Sequence, residues 1–176
     1  MQIISVINQK GGVGKTTTVI NLAAGLTQLN KKILVIDLDP QGNATTGLGL
    51  SNVDNSSDTI YGALNGTREI NQIIKKTEFE NLDIITSNVD LSGLEVETAD
   101  DSNRAFILKT KLTAYLNNSG GLYDYVLIDC PPSLSLLTVM ALVCSNSLLV
   151  PLQTEFFALE GLTQLMKTIE RIKVSL

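Results

Sequence analysis

The run Asn-Gln-Lys-Gly-Gly-Val-Gly-Lys-Thr-Thr-Thr at 8–18 places Gly11, Gly12 and Gly14 between two lysines, Lys10 and Lys15, with Thr16 and Thr17 directly behind. The chemistry this suits is the capture of a polyphosphate. Glycines permit positive φ and let bare backbone approach an anion, so successive N–H groups converge on phosphate oxygens. Lys15 would reach the β and γ phosphates, the Thr16 hydroxyl would serve Mg²⁺, and a following helix would add the positive end of its dipole. The plain pattern Gly-x-x-x-x-Gly-Lys-[Ser/Thr] has glycine where this chain has Gln9, so the match is to a variant of that loop. Lys10 is the extra cation of the variant. At the loop entrance it would offset charge on a phosphate, its own or that of a facing subunit, or simply be solvated.

Carboxylates supply the second half of the chemistry. Asp129 follows Tyr-Val-Leu-Ile and precedes Cys-Pro-Pro, the position from which a carboxylate on a neighbouring strand would hold Mg²⁺ through water; the bland alternative is a strand-end cap. Asp37 and Asp39 lie two apart, so in an extended segment both project to one side and call for a cation or a water to organise them. Asp39 could orient the attacking water. Asp-Pro and Gln-Gly are also ordinary turn formers, which would make 37–42 a turn with no further role.

These residues need elements to hold them. Ile3, Ile4, Val6 and Ile7 form a β-branched run suited to a buried parallel strand. Val19, Leu22, Ala23, Leu26 and Leu29 then recur at helical spacing, which gives the strand, glycine loop, helix order that phosphate binding requires. Further buried strands are predicted at 33–36, 82–86, 125–128 and 148–152. Residues 44–58 read as a mobile loop, and 59–64 as a short helix capped by Ser57 or Asp58. A longer helix is predicted at 101–117 and stopped by Gly120-Gly121. A last one carries Leu159, Leu162, Leu165, Met166, Ile169 and Ile172 and runs to the end of the chain, so its apolar face must rest on a sheet that ends there or on something absent. Alternating strands and helices imply an α/β fold: a mostly parallel twisted sheet with helices on both faces.

Composition narrows the field. A chain of 176 residues, 44% hydrophobic with 5% aromatic residues, suits one α/β domain rich in Ile, Leu and Val. It contains no histidine, which removes histidine-based triads and histidine metal ligands and leaves Lys, Asp, backbone N–H and a metal ion as the available chemistry. Cys130 and Cys144 lie in apolar surroundings without metal-ligand spacing and read as free buried thiols. A net charge of −5 argues against a strongly basic nucleic-acid binder, and Lys31-Lys32 and Lys75-Lys76 read as solvated helix ends. With no membrane-spanning stretch and no leader-like N-terminus, the expected location is cytoplasmic.

Several tracts together resemble one known family. Lys10-Gly-Gly-Val-Gly-Lys15-Thr-Thr looks like the deviant Walker A motif of the ParA/MinD ATPases, a P-loop NTPase group. Asp37-Leu-Asp39-Pro-Gln-Gly-Asn43 looks like the ParA and Soj form of the next motif, Leu127-Ile-Asp129-Cys-Pro-Pro-Ser133 resembles the Walker B segment, and Glu155-Phe-Phe-Ala-Leu-Glu-Gly161 resembles a later signature. The resemblance implies a P-loop NTPase-type sheet and an Mg²⁺-dependent ATPase. It implies a dimer formed on ATP binding, non-specific DNA binding, association with the nucleoid, and stimulation by a ParB-like partner in chromosome or plasmid partitioning. It also implies roles: Lys10 as the signature lysine reaching across the dimer, Lys15 as the loop lysine, Thr16 as Mg²⁺ ligand, Asp39 as the water-positioning residue and Asp129 as the Walker B carboxylate. Gly11, Gly12, Val13, Gly14 and Thr17 would supply backbone contacts to the nucleotide. Family members usually continue past this point, so residues 1–176 are expected to be a single ATPase domain lacking its C-terminal part. Two alternatives follow: a nucleotide-gated dimerisation module without turnover, and a MinD-like membrane-associated ATPase. The latter calls for a basic amphipathic C-terminal helix, whereas Lys167, Glu170, Arg171 and Lys173 are mixed in charge.

Overall fold

Ile33, Leu34, Val35 and Ile36 are all fully buried, and they divide by parity between two separate cores: Leu34 and Ile36 join one, Ile33 and Val35 the other. A strand apolar on both faces must be covered on both faces, because successive side chains point to opposite sides of a sheet. The computed structural model describes residues 1–50, 55–118, 120–154 and 158–175. Its strands are β1 (Gln2–Val6), β2 (Ile33–Asp37), β3 (Ile74–Lys76), β4 (Leu82–Ile85), β5 (Tyr125–Asp129) and β6 (Ser147–Leu149). They form one sheet in the order β3-β4-β2-β5-β1-β6, parallel throughout except for β3, which runs antiparallel to β4.

One face is covered by α1 (Lys15–Gln28), whose Val19 and Ala23 pack with Val6, Ile33, Val35, Ile84 and Leu127. The opposite face carries α3 (Ile60–Leu64), α4 (Ile70–Ile73), α6 (Ile107–Asn118) and α7 (Leu136–Cys144), which bury Ile60, Ile73, Leu108, Leu112 and Met140 against Ile36, Ile85, Val126 and Ile128. Two short helices, α2 (Asn43–Gly47) and α5 (Leu94–Glu97), lie in the connections after β2 and β4. The final helix, α8 (Ala158–Ser175), contributes Leu165 and Ile169 to the core that holds Leu34 and Ile36 and leaves Met166 about half exposed, at 48%. Each fully buried aliphatic side chain adds about 1.5–3 kcal/mol of burial free energy, so the two-sided sheet dominates stability.

Several expectations need correction. Lys75 and Lys76 belong to the antiparallel edge strand β3 and are not helix ends; Lys76 donates to Asp83 of β4 at 2.8 Å. The segment 44–58 contains α2, and its residues 51–54 lie outside the described residues. The cap of α3 is Thr59, whose hydroxyl accepts from the Tyr61 N–H at 3.3 Å; Ser57 and Asp58 belong to a preceding 3₁₀ turn. The helix expected at 101–117 begins later, as a 3₁₀ turn at Arg104–Phe106 that leads into α6. The strand expected at 148–152 ends at Leu149, close to Pro151, which has no N–H to continue a ladder. Both cysteines are free and buried, and burial pushes the Cys144 thiol up to about 12. No helix among the described residues is long and apolar enough to cross a membrane.

Candidate phosphate-binding site

Register places the site. On three adjacent strands Val6 of β1 is level with Asp129 of β5, and Asp129 is level with Asp37 of β2. All three are the last residues of their strands, so the loop leaving β1 rises directly beside two buried carboxylates. Ligands of open parallel sheets occupy this crevice beyond the carboxyl ends of the strands.

The loop between β1 and α1 is held in a phosphate-cradling shape by its own glycines. Gly12 and Gly14 have φ of 73° and 87°, a region that costs an L side chain roughly 1–2 kcal/mol. A Cβ added at either position would meet nothing within 4 Å, so glycine is required there by backbone conformation, and the concavity stays open. Gly14 is the N-cap residue of α1, and its carbonyl accepts from the Thr18 N–H at 2.8 Å and the Thr18 hydroxyl at 2.7 Å. Lys15, only 8% exposed, donates from Nζ to the carbonyl of Lys10 at 3.3 Å, which folds the ammonium back over the loop. Val13 is buried, Thr16 half-buried, and Gly11 and Thr17 exposed.

Two residues not singled out in the sequence fasten this loop. Asn8 accepts the Lys10 N–H on Oδ1 at 3.0 Å and donates from Nδ2 to the Pro151 carbonyl at 2.7 Å, joining the loop to the segment after β6. Gln153 of that segment donates to the Gly12 carbonyl at 3.2 Å. The Lys10 peptide is thus gripped at both ends, its N–H by Asn8 and its carbonyl by Lys15, while the Lys10 side chain lies on the exposed side. Asn8 had one signal, a lone amide between a buried strand and a glycine loop. Gln153 had none, since its proximity arises only from β6 lying beside β1.

The acidic side is asymmetric. Asp37 is fully buried and accepts three hydrogen bonds: from the Thr45 N–H and hydroxyl to Oδ2, both at 2.7 Å, and from the Asp39 N–H to Oδ1 at 3.2 Å. Burial raises its pKa to about 6 against the pull of those donors. The cation or water expected to organise Asp37 and Asp39 is therefore not needed by Asp37. Asp39 is 7% exposed and heads a tight turn: its Oδ1 accepts the Gln41 N–H at 3.0 Å and its carbonyl the Gly42 N–H at 2.9 Å. Asp129 is also fully buried, yet neither carboxylate oxygen has a hydrogen-bond partner in ordinary geometry. Burial drives its pKa up to about 7; the Thr16 hydroxyl and Lys15 offset part of that rise, and Asp37 and Asp39 add to it.

A buried carboxylate without donors is costly, and a hydrated divalent cation beside the Thr16 hydroxyl is the group that would relieve it. Among the described residues no cluster of three or more acidic or cysteine side chains could hold a metal by itself. The donor set thus fits a cation that takes most of its ligands from phosphate and water.

The profile of the AAA domain family matches residues 1–176. The chain belongs to this family. Within it the chain is similar to the chromosome partitioning protein ParA of Caulobacter vibrioides, 49% identical over 176 residues that cover 100% of this chain and 65% of that protein. It is 46% identical over 172 residues to the sporulation initiation inhibitor protein Soj of Bacillus subtilis, covering 98% of this chain and 66% of Soj. The chain therefore spans just under two thirds of the length of these relatives. Among solved structures, a cobyrinic acid a,c-diamide synthase from Mycobacterium smegmatis, crystallised with an ATP analog and magnesium, superposes with a TM-score of 0.89 at 36% identity, over 98% of this chain and 68% of its own. The P-loop NTPase-type architecture expected from the sequence, a mostly parallel sheet with helices on both faces, is the one this solved structure matches.

Proposed function

We propose that this chain is the nucleotide-binding part of a ParA/Soj-type partition ATPase, hydrolysing ATP with Mg²⁺ and acting in chromosome or plasmid segregation. The observation that carries the reading is the unpartnered Asp129 carboxylate, level with the root of a glycine loop that holds Lys15 and Thr16. Its support from kinship is the 49% identity to a chromosome partitioning protein.

In this reading the N–H groups of 11–17 bind the phosphates, Lys15 leaves the Lys10 carbonyl for the β and γ phosphates, and Thr16 and Asp129 hold Mg²⁺, Asp129 through water. The cation supplies charge neutralisation on the phosphates. Asp39 orients the attacking water, from a turn closed by the Gln41 and Gly42 N–H groups. Lys10 acts across a dimer formed in the ATP state. Non-specific DNA binding, nucleoid association and a ParB-like stimulating partner complete the reading; all three draw on the longer relatives.

The test is Asp39→Ala with Mg²⁺-ATP. Loss of phosphate release by about 10²-fold or more, with nucleotide binding retained and a dimer by light scattering, is expected. A wild-type chain that binds ATP and dimerises without releasing phosphate would make it a nucleotide-gated dimerisation module, and a chain that binds no ATP would overturn the reading.

A further inference from the structure

We propose that Thr45 is a positioning residue for the hydrolytic side of the site: its hydroxyl clamps Asp37 and, through Asp37, sets the turn that presents Asp39. The proposal rests on the partition-ATPase reading for its kinetic consequence, but its geometric core does not.

The hydroxyl has one hydrogen and is fully engaged. The Ser87 N–H donates to Thr45 Oγ1 at 3.0 Å, so the hydroxyl's own hydrogen is directed at Asp37 Oδ2, 2.7 Å away. Thr45 also gives Asp37 its backbone N–H at 2.7 Å. With Oδ2 held from both sides, Oδ1 is aimed at the Asp39 N–H, 3.2 Å away, and this bond fixes the peptide from which the Asp39 side chain departs. Asp37, Thr45 and Ser87 are all buried, at 0%, 4% and 3% exposure, so water does not replace any of these bonds. Asp37 is thus held by three protein donors. The same hydroxyl ties the end of β2 to the residue two beyond the end of β4, two segments that are not continuous in sequence.

None of the Thr45 hydrogen bonds described above goes to the glycine loop, so a change there should leave the loop intact. Replacement of Thr45 by Val removes the hydroxyl at nearly constant volume; Thr45→Ser restores it. Amide hydrogen exchange by NMR on the nucleotide-free chain is expected to accelerate by about tenfold or more at both Ser87 and Asp39 in Thr45→Val, and to return close to wild type in Thr45→Ser. In steady state kcat is expected to fall about tenfold with KM for ATP unchanged, again with rescue by Ser.

Faster exchange at Ser87 with Asp39 unchanged would overturn the proposal, because Thr45 would then only tie β4 to β2. So would a rise in KM matching the fall in kcat that Ser does not rescue. If the wild-type chain hydrolyses nothing, the functional reading fails while the exchange arm still judges the clamp. If Thr45→Val does not fold, the wild-type chain carries the test: in mild urea the amides of Asp39, Thr45 and Ser87 must open with one common free energy, and separate openings refute the clamp.

Discussion

Asp37 and Asp129 are register partners on adjacent parallel strands, both fully buried, yet Asp37 accepts three hydrogen bonds and Asp129 accepts none. Two like charges at one level of a sheet raise each other's cost, and the protein resolves this by solvating one with its own donors. The other is left without a protein donor. This asymmetry separates a carboxylate satisfied by the protein from one left without donors more sharply than their near-identical sequence surroundings, Val-Ile-Asp and Leu-Ile-Asp, could.

Stability of the nucleotide-free chain should depend on pH in an unusual direction for carboxylates. Between the ordinary value of 3.8 and about 7, folded Asp129 retains a proton that the unfolded chain has lost. The folded state therefore binds more protons in that window, and stability falls as pH rises through it. Asp37 adds the same sign between 3.8 and about 6. Asp129→Asn should remove the Asp129 share, making the variant more stable than wild type at pH 8, by an amount on the order of a few kcal/mol that closes toward pH 4. Urea denaturation across pH checks it; parallel curves for the two proteins would refute it.

Lys15→Met should weaken ATP binding by about 10–100-fold, the loss of a charge-assisted contact to phosphate, with little change in fold. Its side-chain hydrogen bond to the Lys10 carbonyl, 3.3 Å in the nucleotide-free chain, is long and easily given up. Titration calorimetry with a non-hydrolysable analogue reads the affinity, and an unchanged constant would remove Lys15 from the phosphate site.

Asn8→Ala deletes both clasps on the loop, to the Lys10 N–H and the Pro151 carbonyl. A loss of about 1 kcal/mol in urea denaturation is expected, since two partly buried hydrogen bonds are lost. Asn8→Asp keeps the acceptor toward Lys10 and should recover part of the loss. Equal losses for both variants would place the stabilisation in the Pro151 contact alone.

Lys10→Ala distinguishes the two ways its ammonium could act. If Lys10 reaches a facing subunit, the variant binds Mg²⁺-ATP within about threefold of wild type yet stays monomeric by light scattering. If it serves its own phosphate, affinity falls by about tenfold or more in the monomer itself.

The local order of the chain was legible from residue types because backbone chemistry is local. Glycines at 12 and 14 demand positive φ and adopt it, β-branched runs form the strands of a two-sided sheet, and periodicity marks α1 and α6. The family followed from the same tracts, since a phosphate loop and two strand-end aspartates are each contiguous in sequence. Sequence did not reveal which strand neighbours which. Only the order β2-β5-β1 brings Asp37, Asp129 and the loop to one level, and only β6 beside β1 lets Gln153 and Pro151 grip residues some 140 positions away. The β3 strand was missed because its antiparallel pairing with β4 is a tertiary event on a short edge, where local propensity is weak. Thr45 was missed because it lies in a stretch of turn-forming residues. What gives it a role is the burial of its hydroxyl between β2 and the residues after β4, a contact that exists only once the sheet has assembled.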